Sequence, residues 1–201
     1  MKPTRISQTV SSNLPSYLLL IVVALFLTAT ANVTFFQRVL AIYPWSGNGF
    51  FLCSLVLVIF ASLLFLECVF SLVLPAKVTA TVFLMVAALS SYFSDKFGTV
   101  IDVEMLRNAL ETNASESADL MTASLAIRLI LLGVLPVVLV WRFGASYQGF
   151  SKSLVNHGVT GVIAFGIAVA SIAIFSSQYA SFFREHKQDR YYISPAYPLY
   201  S

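Results

Sequence analysis

The chain has 201 residues, and its composition excludes an ordinary soluble domain of that length. Hydrophobic residues make up 58% of the chain and charged residues only 10%, with a mean hydropathy of +0.84, whereas soluble domains carry about 25% charged residues. Twelve Lys and Arg residues against nine Asp and Glu residues leave a net charge of +3, too small an excess to suggest a nucleic-acid partner. These values predict an integral membrane protein.

Five apolar segments follow one another along the chain, each near the length that crosses about 30 Å of hydrocarbon. In lipid such segments must be helical, because a helix satisfies its own backbone hydrogen bonds. We therefore predict an all-α, polytopic membrane protein with five transmembrane helices, forming one transmembrane domain over residues 1–201. The approximate spans are residues 17–35, 50–74, 78–93, 125–141 and 159–177.

The first of these segments also has features of a secretory signal peptide. A basic start with Lys2 and Arg5 precedes an apolar run that reaches Ala29-Thr30-Ala31, which resembles a small-residue cleavage site. The apolar run continues to Phe36 and four more spans follow. We therefore interpret the segment as an uncleaved first helix.

Two cysteines and one carboxyl residue lie inside the second predicted span. Cys53 and Cys68 are 15 residues apart in one helix, hence about 22 Å apart along its axis, which excludes a disulfide bond between them. Glu67 is expensive to bury in a membrane. It is either a functional carboxyl or a residue near the helix end that reaches water or stays protonated inside the bundle.

The loops between the spans give an orientation signal that is not decisive. The basic residues next to the first helix favour a cytoplasmic N-terminus, because Lys and Arg accumulate on that side. With five spans the C-terminus then lies on the opposite side of the membrane. Three further basic residues follow the last span there, so a count of Lys and Arg residues on the two sides does not decide the orientation. The basic residues on the expected cytoplasmic side are Lys2, Arg5, Lys77, Arg142 and Lys152, and those after the last span are Arg184, Lys187 and Arg190.

The stretch between spans three and four, residues 94–122, is the most polar internal part of the chain. Apolar residues recur every three to four positions at Val103, Leu106 and Leu110, which is typical of an amphipathic helix. We predict two short interfacial helices, at about residues 102–112 and 114–122, with their apolar faces toward the lipid.

Three polar residues in this stretch recur every four positions, namely Asn108, Thr112 and Glu116. On one continuous helix they would form a stripe of an amide, a hydroxyl and a carboxylate. Such a stripe suits a lipid head group with an ammonium group. The alternative is that Asn108 and Thr112 are solvated and Glu116 caps a helix.

Several stretches of the chain also carry a resemblance to a known family. They are residues 26–36 (FLTATANVTFF), 91–112 (SYFSDKFGTVIDVEMLRNALET), 132–136 (LGVLP), 175–187 (FSSQYASFFREHK) and 194–201 (SPAYPLYS). Together they resemble the phosphoethanolamine–lipid A transferases, which include the mobile colistin-resistance enzymes.

The resemblance implies an activity and a place in the cell. These enzymes move phosphoethanolamine from phosphatidylethanolamine to a phosphate of lipid A in the bacterial inner membrane, and the added ammonium weakens the binding of polymyxins such as colistin. It also implies that Asn108, Thr112 and Glu116 help to hold the donor, with the N-terminus cytoplasmic and the C-terminus periplasmic.

The resemblance further implies that the reaction takes place on a part of the enzyme that this chain lacks. In the family, five membrane helices precede a periplasmic catalytic domain of the alkaline phosphatase and sulfatase type, which holds the nucleophile and zinc. The chain is therefore expected to contain no catalytic residue, metal site or cofactor and to be inactive alone. Its expected partners are phosphatidylethanolamine, lipid A, membrane lipids and its own C-terminal catalytic domain.

A different class of function stays open from the residues themselves. A small non-enzymatic membrane protein, such as a transporter subunit or an assembly factor, would have functional polar residues inside the helix bundle. Glu67 is the candidate that the sequence offers for that role.

Overall fold

A computed structural model of the chain describes residues 14–97, 123–143, 150–185 and 193–195. The regular structure in these ranges is helical, which confirms the predicted all-α class. The predicted interfacial helices at about 102–112 and 114–122 lie outside the described residues. The helices are α1 (Ser16–Thr30), α2 (Val33–Ile42), α3 (Trp45–Ser71), α4 (Ala76–Phe97), α5 (Ala123–Arg128), α6 (Leu135–Phe143), α7 (Phe150–Ile174) and α8 (Ser176–Glu185), and a π-helical stretch (Leu129–Val134) joins α5 to α6.

Four helical stretches in the described residues are long and apolar enough to cross a membrane. They are Trp45–Ser71, Ala76–Phe93, Ala123–Arg142 and Ser151–Ile174. The pair α1 and α2 meets the same criterion together, but the two helices are bent by 55° at the break between them. The described residues thus contain four candidate spans, and a fifth when the bent pair is counted as one span.

The break between α1 and α2 interrupts the predicted first span of residues 17–35. The hydroxyl of Thr28 donates to the Ala24 carbonyl and that of Thr30 to the Phe26 carbonyl, each at 2.7 Å, and such bonds to the preceding turn bend helices. Asn32 follows, and its side-chain amide donates to the Leu27 carbonyl at 3.1 Å. The break is therefore built from hydrogen-bonding residues that a hydropathy average does not register.

Other helices also begin or end at residues that differ from the predicted spans. α3 begins directly after Pro44 and ends at Ser71, so the predicted span of residues 50–74 is shifted toward the N-terminus. Pro75 lies directly before α4, and its carbonyl accepts the first backbone hydrogen bonds of that helix. α7 begins at Phe150 instead of residue 159. Its first turns are polar, so the hydropathy pattern marks only the apolar part of the helix.

α3 is the central helix of the bundle. It packs most extensively against α7 and also contacts α1 and α4, whereas the α5–α6 span packs mainly against α4. At the end of the bundle where α3 finishes, the buried ring of His157 on α7 lies 3.0 Å from the Ser16 hydroxyl and 3.2 Å from the Ser71 carbonyl. One imidazole thus connects α1, α3 and α7.

Glu67 lies one turn before this end of α3 and is fully buried. Neither of its carboxyl oxygens has a hydrogen-bond partner among the described residues. The burial contradicts the expectation that the side chain reaches water from the helix end. Since an ionised, unpaired carboxylate is costly in such a setting, the expectations that remain are a functional carboxyl and a protonated side chain inside the bundle.

The close contact between α3 and α7 predicts a strong effect of substitution at Gly161. A Cβ atom at this position would lie 3.1 Å from the Cβ of Cys68, so we expect Gly161→Leu to force the helices apart and cost about 1–3 kcal/mol, as overpacking does. Gly166→Leu on the same helix is the matched control, because nothing lies within 4 Å of its Cβ position. The measurement is thermal unfolding in detergent, and equal unfolding temperatures for the two variants would contradict the packing.

Candidate donor-lipid site at the loop end of the bundle

The three predicted site residues, Asn108, Thr112 and Glu116, lie outside the described residues. The structure describes how the two ends of their segment are held. α4 leads into this segment and α5 leads out of it, so the contacts between these two helices fix where the segment starts and finishes. We call this end of the bundle, where α4 ends and α5 begins, the loop end.

An ion pair joins α4 to α5 at this end. The guanidinium of Arg128 donates to the carboxylate of Asp95 and also to the Ser91 carbonyl at 2.9 Å. The hydroxyl of Thr34 on α2 donates to the other oxygen of the same carboxylate. Because the Arg128 and Asp95 side chains are only 30% and 24% exposed, water screens this pair less than it screens a surface pair. One carboxylate therefore connects α2, α4 and α5.

This ion pair shows what the Arg128 side chain contacts. From its place at the start of a span, the residue is expected either to anchor the helix at lipid head groups or to bind a lipid phosphate. The structure instead directs its guanidinium to protein partners. The partners are 33 and 37 residues away along the chain, so no local pattern signals the pairing.

A second connection joins the break in the first span to the chain that follows α8. The Asn32 amide donates to the Ser194 carbonyl at 2.9 Å, and the Ser194 backbone N–H donates to the Asn32 side-chain oxygen at 2.9 Å. Asn32 is 1% exposed. A buried amide with all these groups matched is a strong constraint, so the backbone at Ser194 is held against the break.

Aromatic side chains complete the contact between α8 and the loop end. Ser54 donates to the Phe51 carbonyl at 2.7 Å, so the Tyr179 hydroxyl, 3.1 Å away, donates to Ser54. Burial raises the pKa of the Tyr179 phenol, which keeps it protonated as this donor. Tyr179 belongs to a cluster of rings that pack edge-on or tilted against one another, and its members are Phe35, Tyr43, Phe51, Tyr179 and Phe182.

The described residues offer no ligand set for a metal ion. No group of three or more His, Cys, Asp or Glu side chains comes together within residues 14–97, 123–143 and 150–185. The zinc that the resemblance implies is expected in the catalytic domain. Cys53 and Cys68 are both free, which confirms that they form no disulfide.

The sequence model of the family described as phosphoethanolamine transferase EptA/EptB matches residues 54–201 of this chain. The chain belongs to this family. The predicted resemblance is thus confirmed. Phosphatidylethanolamine transferase Mcr-2 of Escherichia coli is 42% identical over 185 residues, which are 92% of this chain and 34% of that protein. Phosphatidylethanolamine transferase Mcr-1 of Escherichia coli is 39% identical, with the same shares of both chains covered.

A solved membrane protein of the family has the same architecture. The integral membrane protein lipooligosaccharide phosphoethanolamine transferase A (EptA) from Neisseria meningitidis superposes with a TM-score of 0.84 at 29% identity. The match covers 93% of this chain and 35% of that one. The chain therefore spans about a third of the length of the relatives that it matches.

The ion pair at the loop end predicts energetic coupling between α4 and α5. In a double-mutant cycle of Asp95→Ala, Arg128→Ala and the double variant, we expect a coupling free energy of about 1 kcal/mol, measured by unfolding in mixed micelles. The control is the Arg184 and Glu185 pair, which is 77% and 53% exposed, where the same cycle should give close to zero. Additive effects at Asp95 and Arg128 would contradict the pairing.

Proposed function

We propose that this chain is the membrane domain of an enzyme that transfers phosphoethanolamine from phosphatidylethanolamine to lipid A. The family match and the printed names of its relatives, which are phosphatidylethanolamine and lipooligosaccharide phosphoethanolamine transferases, support this proposal. The same match favours it over a non-enzymatic transporter subunit or assembly factor. The chain's part in the reaction is to hold the catalytic domain at the membrane and to contribute residues to the donor-lipid site.

The observation that carries the proposal is that two contacts made at or next to α2 lie at the loop end of the bundle. Thr34 connects α2 to Asp95, next to the segment with the predicted donor residues. Asn32, two positions earlier, holds the backbone at Ser194, where the chain has left the last span. A donor held by the loop and a domain that follows Ser194 would thus lie at the same end of the bundle, as a transfer between them needs.

The proposed chemistry of the donor residues follows from their types. The carboxylate of Glu116 is suited to the ethanolamine ammonium, and the amide of Asn108 and the hydroxyl of Thr112 are suited to phosphate oxygens. These residues bind and orient the donor. The nucleophile and the zinc belong to the catalytic domain, which supplies the bond-breaking step when it is present.

The proposed localisation is the bacterial inner membrane, with the N-terminus in the cytoplasm and the loop end in the periplasm. The opposite end of the bundle carries Lys77, whose ammonium lies 5.8 Å from the ring of Trp141, and the indole N–H of Trp141 donates to Thr81 at 3.0 Å. A lysine and a tryptophan at one end are suited to the cytoplasmic interface. A phosphoethanolamine added to lipid A on the other side would weaken the binding of polymyxins such as colistin.

The donor-site assignment predicts a loss of transfer in three single variants. In the protein that includes the catalytic domain, Asn108→Ala, Thr112→Ala and Glu116→Gln should each lower the rate of lipid A modification about tenfold, the effect of losing roughly 1.4 kcal/mol of donor binding. Mass spectrometry of extracted lipid A measures the transfer at matched membrane expression. Glu111→Gln is the control, because it removes a neighbouring carboxylate outside the four-residue spacing, and wild-type transfer by all three variants would refute the site.

Because the proposal assigns the nucleophile to the catalytic domain, we expect residues 1–201 alone to transfer no phosphoethanolamine. Expressed and inserted in a strain without its own transferase, the chain should leave the lipid A mass and the polymyxin sensitivity unchanged. Co-expression of the remaining catalytic portion on a separate polypeptide is the positive arm. Modified lipid A from the chain alone would show that a catalytic centre lies within it.

A further inference from the structure

A groove lies between α2 and the first turns of α3, on the lipid-facing side of the bundle. It encloses about 300 Å³, and apart from the Cys53 thiol and the Trp45 indole its wall consists of apolar side chains. The residues that the following argument uses are Phe36, Leu40, Trp45, Leu52, Cys53 and Val56.

The groove results from the bend in the first span. α2 leaves the direction of α1 by 55°, and between α2 and the first turns of α3 there is a gap that no helix among the described residues fills. Leu40, Trp45 and Val56 on its walls are 45%, 64% and 44% exposed. Protein interiors are packed with few voids, and an apolar gap open to a bilayer is filled by hydrocarbon.

The depth of the groove agrees with the length of chain in one leaflet. α3 is regular after Gly47, whose φ of 97° marks the irregular first turn, and Val56 lies nine residues further on, about 13 Å along the axis. One leaflet contributes about 15 Å of hydrocarbon. Trp45 lies at the mouth of the groove, as indoles do at the level of lipid head groups.

We propose that this groove binds one acyl chain of a diacyl phospholipid, whose head group lies beside Trp45. The volume is at the lower end of the range for ligand pockets, about 300–1,000 Å³, which suits a single chain and not the several chains of a lipid A molecule.

This site is distinct from the proposed donor site and does not depend on it. At 100° per residue, Phe36 and Leu40 lie on the opposite side of α2 from Thr34, which contacts Asp95 and thus faces the loop. The bound phospholipid stabilises α2 in its bent position and leaves the loop face of the helix accessible.

Native mass spectrometry of the complete encoded protein, purified in mild detergent, tests the proposal. We expect one retained adduct with the mass of a phospholipid, and Cys53→Phe and Leu40→Phe, which fill the groove from its two walls, should each lower the retained fraction at least fivefold. Val162→Phe on α7 is the matched control, because Val162 is a 72% exposed residue away from the groove, and it should retain lipid as the wild type does.

A measurement on the unsubstituted protein keeps the test independent of folding defects. Cys53 is exposed and Cys68 is buried, so maleimide labelling of the delipidated protein can be followed at the peptide that contains Cys53. Added phosphatidylethanolamine should slow this labelling at least threefold. An unchanged labelling rate, equal lipid retention in the groove-filling variants, a lipid A mass, or no retained lipid would each overturn the proposal.

Discussion

The buried amide of Asn32 is the interaction on which the loop end of the bundle depends. A helix that stops inside an apolar environment leaves backbone groups without partners, and each such group is costly there. Asn32 donates a second hydrogen bond to the Leu27 carbonyl, which already accepts the Ala31 N–H at 3.0 Å, and it satisfies both backbone groups of Ser194. The break is thereby stabilised, and the chain after α8 is fixed at the same point.

Several features of the loop end follow from that break. α2 leaves the axis of α1, and only in this direction does Thr34 contact Asp95 while Phe35 packs against Phe182 of α8. The same divergence opens the groove beside α3. A straight first helix would have none of these contacts, because residues after Thr30 would continue along the axis of α1.

The two ends of the bundle are stabilised in different ways. At the end with His157, one buried ring joins three helices that also pack closely together. The α5–α6 span packs mainly against α4, and at the loop end the ion pair between Asp95 and Arg128 also joins α4 to α5. The proposed donor residues lie in the sequence between these two helices.

The sequence by itself determined the membrane class, the family and the approximate positions of the spans, because hydropathy and segment length are local properties. It also supplied the candidate donor residues Asn108, Thr112 and Glu116, through their spacing and the family resemblance. Only the tertiary structure decided that the first span is bent, that Glu67 is buried away from water, and that Arg128 pairs with Asp95. The pairing of Arg128 joins side chains 33 residues apart in the chain, and the burial of Glu67 depends on how the helices pack, so neither leaves a periodic pattern in the sequence. The bend comes from local hydrogen bonds of Thr28, Thr30 and Asn32, which a hydropathy average does not register.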